Sequence, residues 1–174
     1  MRSDAIISPC GKFRYRLRRD VPHAMRGSNF VGGTCLFVML NPSTADATAD
    51  DPTIRRCRGF ALEWGRMAME VVNLFAIRST DPKQIKAPFS DAVGPDNDAH
   101  IMEACKDADL VVCAWGQGIP SAAGRIATNA RADEVLRIIR SSGNRPYRIG
   151  PPTKKGAPPH PLYLRSGLAL EEMP

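Results

Sequence analysis

Three polar residues of this chain stand at a strand end, inside an apolar run or in a rigid loop: Asn41 in Leu40-Asn41-Pro42-Ser43, Asn73 in Val72-Asn73-Leu74, and His160 in Pro159-His160-Pro161. An amide offers donors and an acceptor but takes no proton. It can pair with a ligand's polar edge or orient a water, yet it cannot serve as a base. A neutral imidazole offers one donor and one acceptor. Each residue also has a purely structural reading: an Asx–Pro turn at Asn41, a bridge between backbones at Asn73, a loop cap at His160. A fourth group, Asp46, Asp50 and Asp51, reads as solvated or helix-capping carboxylates, or as an oxygen-ligand site for a divalent cation.

The elements that must position these residues follow from the apolar pattern. Residues 36–40 are five apolar residues in a row, a buried strand ended by Asn41-Pro42. Pro42 has no N–H and biases Asn41 toward extended backbone. Residues 71–77 and 110–115 read as two further buried strands, and 147–149 as a short last one. Between them lie helical patterns. Asp51 caps the first, Pro52 opens it and Gly65 ends it. Asp96 or Asn97 caps the second, and an Ala-rich run over 121–140 ending at Gly143 makes the third. Residues 166–173 suggest a short terminal helix. Phe13 to Arg19 alternates apolar and basic residues, the pattern of an edge strand guarded by charge, and a Gly-rich loop around Gly27 and Gly32-Gly33 follows it. The alternation of strands and helices predicts a single domain over 1–174. Its fold class is α/β, a three-layer α/β/α sandwich on a small, mainly parallel, four-stranded central sheet. In such sheets ligands bind beyond the carboxyl ends of the strands, which brings Asn41 and His160 toward one crevice with Asn73 near it.

Composition narrows the class. The 174 residues carry a formal charge of +6 and a pI of about 9.3, which favours a polyanionic partner such as nucleic acid. No apolar run approaches the roughly 20 residues of a membrane helix, and no signal-peptide core follows the first residues. The expectation is a cytoplasmic protein with no membrane partner. The five cysteines are scattered and form no C-x-x-C pair, so reduced, mostly buried thiols are expected rather than a zinc or iron–sulfur site. No cofactor is implied.

The phrases Met39-Leu40-Asn41-Pro42-Ser43-Thr44-Ala45-Asp46, Asp51-Pro52-Thr53, Asn73-Leu74-Phe75-Ala76 and His160-Pro161-Leu162-Tyr163-Leu164 resemble those of a bacterial and phage family of unknown function, over nearly the whole chain. In the same order they are similar to the motifs of the uracil-DNA glycosylase superfamily. There a buried strand runs into Asp-Pro or Asn-Pro, a middle strand carries an Asn, and a late His-Pro-Ser has a Leu just beyond it.

That second resemblance implies a parallel-sheet sandwich and metal-independent hydrolysis of the bond between a base and its sugar in nucleic acid. Single-stranded or mismatched DNA is the implied substrate, in a repair role. By the resemblance His160 supplies a donor to the leaving base, Asn73 pairs with the flipped-out base, and Asn41 holds the water. Pro42 and Ser43 line the base pocket, and Phe60 or Phe75 stacks on the base. Arg55, Arg56, Arg78, Leu164 and Arg165 face nucleic acid, with Leu164 filling the gap left by the base. The basic residues of the first helix, Arg58 among them, read equally as a solvated face. Leu162 stands where Ser is usual, and Ser43 where some branches use Tyr, so a larger or modified base fits the pattern. Two rival readings are a module that binds a flipped or single-stranded base without cutting, and a metal-dependent phosphodiesterase built on Asp46, Asp50 and Asp51. A free nucleoside or nucleotide also remains a possible substrate.

Overall fold

A computed structural model describes residues 3–21, 30–43, 45 and 49–174. Seven strands form one mixed sheet among these residues: β1 (Ser3–Ile7), β2 (Arg14–Asp20), β3 (Thr34–Met39), β4 (Ala68–Asn73), β5 (Leu110–Cys113), β6 (Pro146–Ile149) and β7 (Leu170–Glu172). The spatial order is β1-β2-β4-β3-β5-β6-β7. The four-stranded, mainly parallel sheet expected above is therefore corrected. Strands β4, β3, β5 and β6 are mutually parallel, but antiparallel strands extend them on both sides.

Two of the corrections have a clear cause. Strand β2 is an interior strand between β1 and β4, because its basic residues find partners. Arg16 pairs with the buried Glu70 of β4, and Arg19 with Asp50 at 2.7 Å. Alternating charge thus marks interior ion pairs here, not a guarded edge. At the other end, the short terminal helix is replaced by β7, whose Glu171 and Glu172 meet Arg148 and Arg145. The Gly27 part of the glycine-rich loop lies outside the described residues.

Four α-helices lie among the described residues: α1 (Pro52–Glu63), α2 (Ser90–Val93), α3 (Asn97–Lys106) and α4 (Ala122–Ser141). They pack on both faces of the sheet. Leu36 and Val38 of β3 join a core with Ile101 and Cys105 of α3 and Val135 and Ile139 of α4. Cys35, Phe37 and Met39, pointing the other way with the period of two of a strand, join Ile54, Cys57 and Phe60 of α1. The starts of α1 and α4 are locally encoded. The Asp51 carboxylate accepts from the Ile54 N–H, with Pro52 at the first position, and the Ser121 hydroxyl accepts from Gly124. At α3 the expected side-chain cap is absent. Asn97 turns inward and donates to the carbonyls of Asn73 and Leu74 at 3.0 and 3.2 Å.

The chain leaves β3 toward β4 on one side, then crosses back to β5 on the other. That reversal opens a crevice beyond the carboxyl ends of β3 and β5, the place where doubly wound sheets bind ligands.

Candidate active site

A cavity of about 420 Å³ fills that crevice, and Asn41, Asn73 and His160 all line it. The residues that follow β3, β4 and β5 form its walls, the start of α1 forms another, and the Pro161–Tyr163 turn closes over it.

Asn41 is held rigidly. Its Nδ2 donates to the Ser79 carbonyl at 2.8 Å and to the Pro42 carbonyl at 3.0 Å, while Ser79 N–H donates back to Pro42 at 2.9 Å. The amide ties the loop after β3 to the loop after β4. Both its N–H donors are used, so Oδ1 is what it can offer a water.

Asn73 is different. It is 1% exposed, and its Nδ2 has no hydrogen-bond partner among the described residues. A buried polar group without a partner is costly, and this one lines the cavity. The bridge expected as its structural alternative is made by Asn97 instead.

His160 has its Nδ1 accepting from the Leu162 N–H at 3.3 Å, which leaves the ring proton on Nε2. Burial lowers its pKa below the ordinary histidine value, and the Asp51 charge opposes that shift only in part. The imidazole is therefore a neutral donor at pH 7. Gly116 lets the loop after β5 pass close to it: with φ of +68°, a Cβ there would lie 3.3 Å from the His160 Cβ.

Other lining residues were not anticipated in a site role. Arg14, 2% exposed, reaches the cavity from the start of β2. It does so because β2 runs antiparallel to β4, so its beginning lies at the carboxyl edge of the parallel strands. Trp115 and Gln117 come from the loop after β5, and Tyr163 from the turn after His160, next to Leu162 of the expected last motif, which also lines the cavity. The strand-end rule applied to β5 was a signal for Trp115. No local signal marked Arg14.

Several expected site residues are placed elsewhere. Ser43 lines the cavity, but Pro42 is buried behind it. Phe60 and Phe75 are buried in the cores on opposite faces, and neither lines the cavity. Trp115 and Tyr163 are the aromatic residues that line it among the described residues. Arg56 stacks on Phe60 at 4.3 Å and donates to the Leu164 carbonyl and the Ser166 hydroxyl. Leu164 itself packs against the α1-side core. Arg55 donates to the Asp50 carbonyl, and exposed Arg78 to the Gly11 carbonyl at 3.2 Å. Arg165 is exposed and, like Arg55, Arg56 and Arg78, does not line the cavity.

The acidic group does not converge either. Asp50 sits between Arg19 at 2.7 Å and Arg58 at 3.3 Å. Asp51 caps α1, and Asp46 lies outside the described residues. Among the described residues no three His, Cys, Asp or Glu side chains gather as a metal site. Four cysteines, Cys35, Cys57, Cys105 and Cys113, are buried, and burial pushes their thiol pKa values up, that of Cys105 to about 11. Cys10 is exposed, and all five are free thiols. No helix among the described residues is long and apolar enough to cross a membrane.

A family model described as a protein of unknown function, DUF1643, matches residues 14–162. The chain belongs to the DUF1643 family. The match begins at Arg14 and ends at Leu162, both of which line the cavity, so nearly all of the lining falls within the family's span. Strands β1 and β7 fall outside it. No curated protein and no solved structure matches the chain.

Proposed function

We propose that this DUF1643 protein is a glycosylase-type hydrolase that releases uracil or a modified base from nucleic acid, with single-stranded or mismatched DNA as its substrate. The observation that carries the reading is the buried, unpartnered Asn73 amide, which shares a cavity with a neutral His160. A site that leaves such a donor unpaired is built for a ligand that pairs with it.

Breaking a base–sugar bond leaves negative charge on the base and positive character on the sugar. The His160 Nε2–H meets the charge on a base carbonyl, and a preorganised donor of this kind is worth about 3–4 kcal/mol. The Asn73 Nδ2 reads a carbonyl acceptor on the base edge. The Oδ1 of Asn41 accepts a hydrogen from the water that replaces the base. Trp115 offers the flat wall on which a base stacks, in place of Phe60 or Phe75. The formal charge of +6 suits a polyanionic substrate.

The test is a base-release assay in EDTA. Labelled single-stranded and G·U duplex oligonucleotides, with a panel of modified pyrimidines, are incubated with protein and then cut with alkali at abasic sites. Release is expected from at least one substrate, with His160→Ala slower by about 100-fold or more. No release from any of them overturns the reading.

One observation favours a second reading, a module that binds a base without cutting it. Position 41 carries no carboxylate, and both its donors are tied to backbone. Tight, salt-dependent binding without an abasic product would select it. The metal-dependent phosphodiesterase has less support, since Asp50 is held by Arg19 and Arg58 and Asp51 is the only carboxylate among the described residues that line the cavity.

A further inference from the structure

Hydrolysis requires something to take a proton from the water, and neither Asn41 nor the neutral His160 donor does so. Among the described residues lining the cavity, the only carboxylate is Asp51. Its backbone is extended, at φ −79° and ψ 170°. One oxygen, Oδ1, accepts from the Ile54 N–H at 2.8 Å, which fixes the carboxylate. The other oxygen has no hydrogen-bond partner among the described residues. Asp51 and His160 line the same cavity, so the two residues face a common space. The neighbouring Asp50 is excluded by its guanidinium partners, Arg19 and Arg58.

We propose that Asp51 is the general base of this site: fixed through one oxygen as the cap of α1, it presents the other to the hydrolytic water. This assignment rests on the base-release reading above. In the step, the water oxygen bonds to C1′ of the sugar as the C1′–N bond breaks. The bonding pair leaves with the base and is met by the His160 Nε2–H. The water proton goes to the free oxygen of Asp51 and from there to solvent. The products are the C1′ hydroxyl and the free base, so a carboxylate ten positions downstream serves where position 41 holds only an amide.

The cap offers a clean test, because Asn and Gly are both accepted at a helix N-cap while neither is a base. In the assay above, Asp51→Asn is expected to lower kcat by about 100-fold or more. KM is expected to stay within about threefold, with no change in the thermal transition. Asp51→Gly is expected to regain rate when formate is added as a diffusible carboxylate. Asp51→Asn retaining kcat within threefold of the parent overturns the assignment alone, the parent remaining a base-releasing enzyme. A folded Asp51→Gly that formate does not rescue makes Asp51 a positioning residue and equally overturns it. A parent protein that releases no base fails the underlying reading, and the general base with it.

Discussion

Two asparagines that meet at the end of β4 are expected to respond oppositely to truncation. Asn97 is fully buried and donates to two carbonyls. Of these, Leu74 keeps a second partner in the Arg131 guanidinium at 2.9 Å. In Asn97→Ala one carbonyl loses a donor it needs and a second bond is lost. Together these cost about 2 kcal/mol at roughly 1 kcal/mol per bond, which lowers Tm by about 4–8 °C in a chain of this size. Asn73 loses no such bond when truncated, because its Nδ2 has no partner among the described residues and its backbone contacts survive. Removing an unsatisfied donor offsets the lost packing, so Asn73→Ala is expected to stay within about 1 kcal/mol of the parent, or to gain. Binding of a base-bearing oligonucleotide should nevertheless collapse in Asn73→Ala. Urea unfolding and a thermal scan of both variants, with oligonucleotide binding alongside, make the comparison. If Asn73→Ala is destabilised as much as Asn97→Ala, the amide is a structural bridge and the argument from its missing partner is refuted.

Burial holds the folded-state pKa of His160 below its unfolded value of about 6.5. Its contribution to stability is therefore fully present above that pH and lost as pH falls through the folded value. Urea midpoints against pH should show this slope, His160→Gln should flatten it, and the imidazole NMR titration in Asp51→Asn should move lower still. Arg56→Lys keeps the charge but not the planar fork that holds Leu164 and Ser166. A loss of about 1–2 kcal/mol in urea unfolding is expected. Gly118 has φ of +78°, and a Cβ there would come within 2.6 Å of the Thr128 side chain. Gly118→Ala should cost about 1–3 kcal/mol and weaken ligand binding, since the loop it anchors carries Trp115 and Gln117.

Much of the layout was legible because it is written locally. The buried run at β3 and the Asp51-Pro52 start of α1 needed no tertiary information, nor did the Ser121 start of α4. The crevice was legible too, since Asn41 and His160 were expected at one sheet edge and both line the cavity. What escaped was whatever depends on partners remote in sequence. Strand β2 looked like an edge because the carboxylates that neutralise its arginines lie on β4 and ahead of α1. Its reversed direction, which no residue of the strand declares, is what sends Arg14 to the cavity. Strand β7 was read as helix because three residues carry almost no periodicity. Phe60 and Phe75 were credible as stacking residues by type alone, and only their packing in opposite cores removes them from the cavity.

The cavity draws on both extremes of the chain, with Arg14 from its beginning and Tyr163 from near its end lining the same space. Such a site joins residues very far apart in sequence, so it closes after the local elements have formed and not with them. It follows that no folding intermediate lacking either β2 or the turn after His160 presents the complete cavity, and that a bound ligand holds these two distant segments together at once. Ligand-dependent protection in hydrogen exchange should then spread over the whole sheet rather than remain with the loops that touch the ligand.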